Sequence, residues 1–215
     1  ADVQKKLQPY LQRPNHEGSW LDPAVRASSV TGAAAGMGRR QALAEYRRCL
    51  ASYLGWTSAV ATNAKVRVWY RYDKAGQDAM ASKVASYVEG SHASLVTGAA
   101  FKVPAGDGTL LCNGGDDMLD IYLVEGLGNR GETVPNTSDR YQSSVYIFIR
   151  DSLDDEQLRH AVSHEYMHAI HWTYKTQAQQ DDYGWFRDAI ANWATDHVYP
   201  GNASLLAMAA CQLNS

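Results

Sequence analysis

The sequence predicts an α+β fold, and three observations carry this prediction. Segments in which apolar and polar residues alternate, as in half-buried strands, occur together with segments that repeat apolar residues at the helical spacing. Their order is strand, helix, strand, strand, helix, helix, so strands and helices are partly segregated along the chain. The composition over 215 residues, 45% hydrophobic and 20% charged, is typical of a chain that buries a core.

The charge balance and the apolar runs argue against two classes of function. There are 20 Lys+Arg residues against 23 Asp+Glu, a net charge of −3, and no basic stripe, so a nucleic-acid partner is not expected. No run approaches the roughly 20 apolar residues that a membrane span requires. The chain begins at Ala1 without an apolar leader segment, so we expect that an export signal has been removed and that the protein is secreted or extracellular.

The first half of the chain is predicted to contain an arm, two helices and a strand. Residues 1–37 hold three prolines and little periodicity, which predicts an N-terminal arm before one domain over residues 38–215. Within that domain, apolar residues repeat at the helical spacing over 41–54 and again over 77–89. Residues 65–72 alternate valine and tyrosine with arginine and tryptophan, which predicts a half-buried strand.

Two further strands are predicted over residues 118–124 and 144–150, each preceded by a loop rich in Gly, Asn and Asp. The acidic residues beside the first of these strands, Asp116, Asp117 and Asp120, leave calcium binding open. Because the spacing of an EF-hand is missing, a polar loop is the simpler interpretation.

Two helices complete the predicted domain, a long one over residues 153–174 and a last one over 185–198. Ser152 and Asp155 form a start signature for the long helix, and the acidic residues of its first turn suit the positive end of the helix dipole. A Pro-Gly pair closes the last helix.

The long helix contains HEYMH, an HExxH motif whose histidines are His164 and His168. Four residues span just over one helical turn, so both imidazoles project from one face about 6 Å apart along the axis and can reach a single Zn²⁺ ion. Glu165 lies beside that ion without binding it, where a general base must be to take a proton from a metal-bound water. The motif therefore predicts a zinc site with Glu165 as the catalytic residue.

A catalytic zinc ion needs a third protein ligand and one open position. The best candidate is Asp188, twenty residues after His168 and early on the last helix, where a carboxylate can point back at the ion. Asp181 and Asp182, in the connection between the two helices, remain alternatives.

Four polar residues near these candidates are expected to support the site or to lie at the surface. Asn192 and Asp196, one and two turns after the third ligand, can hold a ligand imidazole through its second nitrogen. His160 and His171 extend the histidine stripe by one turn in each direction. His171 lies about 10 Å along the axis from His164, too far to share a four-coordinate ion with it.

The spacing between HExxH and an acidic residue on the next helix resembles the gluzincins, the thermolysin-like group of zinc proteases. More closely, the segments DIYLVEGLG, SSVYIFI, HEYMHAIHWTY and WFRDAIANWATDHVYP resemble a family of secreted bacterial metalloproteases with the pattern W-x-x-E-G-x-A-x-W-x-x-D-x-V-Y-P. This resemblance covers residues 118–202. It implies a zincin-like domain: a small mixed sheet, an active-site helix carrying HExxH and a following helix carrying the third ligand. Where the pattern has Glu and Gly, this chain has Asp188 and Ala189.

The predicted function is that of a zinc-dependent metalloendopeptidase acting on a peptide or protein substrate. The strand 144–150, directly before the active-site helix, would be the sheet edge with which an extended substrate pairs. The alternative is a catalytically weak or inactive zincin-like domain that binds metal and serves as a binding scaffold. Because the chain ends 27 residues after Asp188, where thermolysin-like proteases continue, a further C-terminal region or a partner is expected.

Overall fold

A computed structural model of the chain describes residues 55–108, 113–136, 142–174 and 184–201. Over these residues the predicted α+β fold is confirmed, with five strands in one mixed sheet and three α-helices. Several sequence predictions fall outside the described residues: the arm 1–37, the helix 41–54 and the alternative ligands Asp181 and Asp182.

The elements follow one another in an order that matches the prediction apart from two additional strands. In chain order they are β1 (Trp56–Ala61), β2 (Val66–Arg71), α1 (Gln77–His92), a π-helical segment (Ala93–Gly98), β3 (Leu119–Val124), β4 (Gly131–Pro135), β5 (Val145–Arg150), α2 (Asp155–His171) and α3 (Gly184–Val198). The sequence did not predict β1 and β4. The other strands and helices lie within three residues of their predicted bounds.

The strand order in the sheet is β1-β2-β3-β5-β4. The three inner strands β2, β3 and β5 run parallel, whereas β1 and β4 are antiparallel to their neighbours. The prediction that strand 144–150 forms the free edge is therefore wrong, because β5 is hydrogen-bonded to β3 on one side and to β4 on the other. In the part of the chain that the structure describes, the edge next to β5 belongs to β4.

The helices pack on one face of the sheet and bury the main apolar core there. Leu119, Ile121 and Leu123 of β3 point into this core, together with residues of the neighbouring strands and of all three helices. The alternate residues point to the opposite face, where Tyr122 packs with other aromatic side chains. Both faces of β3 and β5 are buried, as is usual for parallel strands, whereas the buried residues of β2 all lie on its core face.

Helix α2 begins two residues later along the chain than its start signature predicts. Its N-cap is Asp154, whose side chain accepts a hydrogen bond from the backbone N–H of Gln157 at 2.8 Å. The predicted signature of Ser152 with Asp155 is wrong, because Asp155 instead accepts a 2.6 Å hydrogen bond from Tyr87 of α1. This contact joins the first turn of α2 to α1.

The three aspartates considered for calcium binding are each engaged by protein groups. Asp116 forms an ion pair with Arg67. Asp117 accepts a hydrogen bond from the backbone N–H of Gly108, in the loop before β3. Asp120 accepts a 2.8 Å hydrogen bond from the Trp69 indole. Among the helices that the structure describes, none is both long and apolar enough to cross a membrane.

Asp107 and Asp120 are buried carboxyl groups beside one another, 4% and 1% exposed. Burial raises the pKa of Asp107 to about 7, and repulsion from Asp120, Asp116 and Asp117 adds to this shift. Burial also raises the pKa of Asp120 to about 6, although hydrogen bonds from Trp69 and Tyr122 oppose the change. The folded protein therefore holds protons that the unfolded chain releases near pH 4.

We expect Asp107→Asn to flatten the pH dependence of stability. With a pKa raised on folding, the carboxyl group contributes stability that is present below about pH 4 and is lost as the pH rises through 7. The slope approaches about 1.4 kcal/mol per pH unit for one proton. Urea unfolding at pH 5 and pH 8 measures the effect, with the exposed Asp196→Asn as control. An unchanged slope in Asp107→Asn would contradict the assignment.

Candidate metal centre

Helix α2 places His164 and His168 one turn apart on a buried face, as the motif predicts. Their Nε2 atoms lie 3.0 Å from each other, and their ring planes meet at 78°. Both nitrogens therefore converge on one small space between α2 and its neighbours.

Asp188, early in α3, completes this convergence. Its Oδ1 atom lies 3.3 Å from Nε2 of His168, and one ligand atom from each of His164, His168 and Asp188 lies within 4.8 Å of the others. The described residues contain no second group of three or more His, Cys, Asp or Glu side chains arranged in this way. The three residues named from the sequence thus form one cluster that could hold a metal ion.

The protonation state of the histidines favours a cation in this cluster. Burial, together with the positive charge of Arg187, lowers the pKa of His168 to about 3. Burial and the adjacent imidazoles lower the pKa of His164 well below its usual value. Since both imidazoles are neutral at pH 7, the contact between His168 and Asp188 is not an ion pair. A neutral imidazole presents a lone pair at Nε2 when its proton is on Nδ1, and a metal cation could then bind both this nitrogen and the Asp188 carboxylate.

Two of the distances between donor atoms suit ligands around one tetrahedral metal ion. Ligands 2.0–2.1 Å from a tetrahedral ion lie about 3.3 Å from one another. The two distances in the cluster, 3.0 Å between the His164 and His168 nitrogens and 3.3 Å from His168 to Asp188, are close to this value. The Asp188 side chain is 27% exposed, whereas that of His168 is fully buried. The cluster therefore has one side that solvent reaches.

Asn192 orients one of the two imidazoles. It lies one turn after Asp188 in α3, and its Oδ1 atom accepts a 3.1 Å hydrogen bond from Nδ1 of His164. With the proton on Nδ1, the Nε2 atom of His164 presents its lone pair to the cluster. The other candidate for this role, Asp196, is exposed to solvent. Nδ1 of His168 is buried and has no hydrogen-bond partner among the residues that the structure describes.

Glu165 is 2% exposed and lies on the side of α2 that faces β4. The Thr133 hydroxyl lies 2.8 Å from its Oε2 atom and 3.1 Å from its backbone carbonyl oxygen. Gly131 also packs against this side chain. The sequence analysis did not identify Gly131 and Thr133 as site residues. Their segment has no strand pattern from which the direction of their side chains could be predicted.

His160 and His171 flank the cluster without belonging to it. The His160 ring stacks on that of His164 with centroids 5.7 Å apart, and the His171 ring lies 5.8 Å from that of His168. Burial lowers the pKa of His160 to about 4 and that of His171 to about 3, so both are neutral at pH 7. Their rings contact those of His164 and His168.

A separate cavity of about 620 Å³ lies between the starts of α1 and α2, away from the histidines. Its two lysines are neutralised within the protein, since Lys74 pairs with Glu125 and Lys83 pairs with Asp155. Its lining includes none of the cluster residues, and we assign it no chemistry.

Comparisons of the chain with protein-family models, with curated proteins and with solved structures found no match. The assignment of the cluster therefore rests on its own geometry.

We expect Asp188→Ala to weaken zinc binding by more than about 100-fold, because loss of a ligand costs more than the 10-fold to 100-fold typical of an outer hydrogen-bond partner. Asn192→Ala should fall within that smaller range, since it disorders only the His164 ring. Competition with a chromogenic chelator measures both affinities, and the exposed Asp196→Ala is the control. If Asp188→Ala binds zinc like the parent, the third ligand is another residue.

Proposed function

We propose that this protein is a zinc-dependent metalloendopeptidase of the gluzincin type. The observation that carries the proposal is the place of Glu165, a buried residue that directly follows His164 on α2 and is not part of the His164, His168 and Asp188 cluster. A domain that only stored or displayed a metal ion would have no chemical need for a carboxyl group at this point. The motif resemblance over residues 118–202 supports the same proposal.

Zinc is the metal that this donor set favours, because two imidazole nitrogens and one carboxylate oxygen at tetrahedral spacing match its catalytic sites. When bound, zinc supplies Lewis-acid chemistry: it polarises a carbonyl group and makes a water molecule more acidic. His164, His168 and Asp188 would hold the ion, and Asn192 would keep the His164 ring in place.

Glu165 would act as the general base and then as the general acid. It would accept the proton of the attacking water and pass it to the nitrogen of the leaving amine, so that the peptide bond breaks without releasing an unstable amide anion. For this the carboxyl group must keep a fixed direction, which the hydrogen bond from Thr133 supports.

The substrate in this proposal is an extended peptide that pairs with β4. Within the described residues β4 is the strand at this edge of the sheet, paired with β5 on one side, and the proposal places strand addition at its other side. A peptide bound there would pass close to Glu165, since Thr133 of the same strand contacts that carboxylate. Backbone pairing along a strand suits cleavage within a chain, as an endopeptidase requires.

We expect the zinc-loaded parent to cleave a fluorescently labelled unfolded protein and Glu165→Gln to lose about 10²-fold to 10⁴-fold in rate, the usual contribution of a general base. Zinc affinity should stay close to that of the parent, because Glu165 is not in the ligand cluster. Zinc titration and the cleavage assay on the same samples separate the two effects.

The matched variant Asp188→Glu gives this position the longer side chain found in the family that the sequence resembles. If zinc binds but neither the parent nor Asp188→Glu cleaves the substrate, the metallopeptidase proposal fails and the metal-binding scaffold becomes the better description. Equal cleavage by the parent and Glu165→Gln would also overturn the assigned role of Glu165.

A further inference from the structure

We propose that Thr133 is a positioning residue for Glu165, so that the edge strand offered to the substrate also sets the direction of the general base. This inference rests on the proposed function. It adds that β4 is part of the catalytic geometry as well as a place for the peptide to bind.

The inner face of β4 is formed around one carboxyl group. Gly131 and Thr133 alternate along the strand and both are buried. Their register partners in β5 are Ile149 and Ile147, which belong to the core beneath the helices, so this face of β4 looks toward α2. Both residues meet the side chain of Glu165 there.

The Thr133 hydroxyl contacts Glu165 at two points. It lies 2.8 Å from Oε2 and 3.1 Å from the backbone carbonyl oxygen of the same residue. A hydroxyl has one proton, and its hydrogen bond to a carboxylate is stronger than its hydrogen bond to a neutral carbonyl. The hydrogen bond to Oε2 restricts the direction of the Glu165 carboxylate, which matters because a general base must reach its proton within hydrogen-bond distance.

Gly131 supports the same arrangement by its lack of a side chain. A Cβ atom at this position would lie 2.5 Å from Cγ of Glu165 and 2.9 Å from its Oε1 atom. Gly131 is not among the glycines with positive φ, so its backbone does not require glycine. The close approach of Glu165 explains the residue, and any larger side chain would displace the carboxyl group.

A link between substrate and base follows from this placement. The backbone of β4 pairs with the peptide at its outer side, while Thr133 and Gly131 hold Glu165 at its inner face. Loss of the Thr133 hydroxyl should therefore lower the rate of the chemical step more than the binding of peptide.

The test compares Thr133→Val, which removes the hydroxyl at nearly constant shape, with Thr133→Ser, which keeps it. We expect Thr133→Val to lower kcat by about 10-fold with KM within about twofold, and Thr133→Ser to recover most of the loss. The control is Thr195→Val in α3, which also removes a buried threonine hydroxyl bonded to a backbone carbonyl, that of Ala191. It should leave kcat unchanged.

A second measurement does not depend on turnover. Acetohydroxamate chelates zinc and gives up a proton to a nearby base, so its affinity for the zinc-loaded protein, measured by calorimetry, reports the direction of Glu165. We expect Thr133→Val and Glu165→Gln each to weaken this binding by about 10-fold, and Thr133→Ser and Thr195→Val to leave it unchanged.

The two measurements separate the inference from the proposed function. If the parent does not cleave peptides but the acetohydroxamate pattern holds, the positioning role stands and the peptidase proposal fails. If the parent cleaves and Thr133→Val matches it in both kcat and acetohydroxamate affinity, the positioning role is overturned and the peptidase proposal stands.

Discussion

The candidate site depends on one electrostatic constraint: the Asp188 carboxylate and two neutral, buried imidazoles lie together between α2 and α3. Burial keeps the imidazoles of His164 and His168 neutral, so the charge of Asp188 is not offset by a protonated histidine. A bound cation would attract the Asp188 carboxylate and both imidazoles. With a cation bound, both the metal and the apolar contacts of residues such as Ala191 and Ala194 would stabilise the packing of α3 against α2.

The rigidity of the site follows from the central place of α2, which contacts α1, α3 and the strands β4 and β5. A helix covered on so many sides must match its polar groups with partners from several elements. Ser163 bonds to Ser91 of α1 at 3.0 Å, and the Tyr166 hydroxyl lies 2.9 Å from a ring nitrogen of His92. Glu165 is matched from the opposite direction by β4. Contacts with α1 on one side and with β4 on the other therefore hold α2 in one orientation about its own axis, and α2 carries two of the three cluster residues.

Local rules predicted the parts of the molecule that are determined locally. Helical spacing alone places His164 and His168 on one face, alternation reveals β2, and turn-rich loops mark the starts of β3 and β5. Asp188 followed from its spacing and from resemblance. Strand β4 was missed because Gly131 and Pro135 disfavour a strand, and hydrogen bonding to β5 outweighs that preference. The prediction placed β5 at the edge of the sheet for the same reason. Without β4, β5 has no second neighbour and would be the last strand.

The close approach of Gly131 to Glu165 also has a use in recognising distant relatives. Selection on this pair would act on two positions far from HExxH in sequence: a glycine that no backbone conformation demands, and a hydroxyl residue two places later. A Gly-x-Thr or Gly-x-Ser pair would mark chains that hold their glutamate from a neighbouring strand where it lies on the strand that packs against the HExxH helix, since residues 55–57 of this chain match the same pattern elsewhere. Such a composite signature would distinguish them from chains in which the five-residue motif arises by chance.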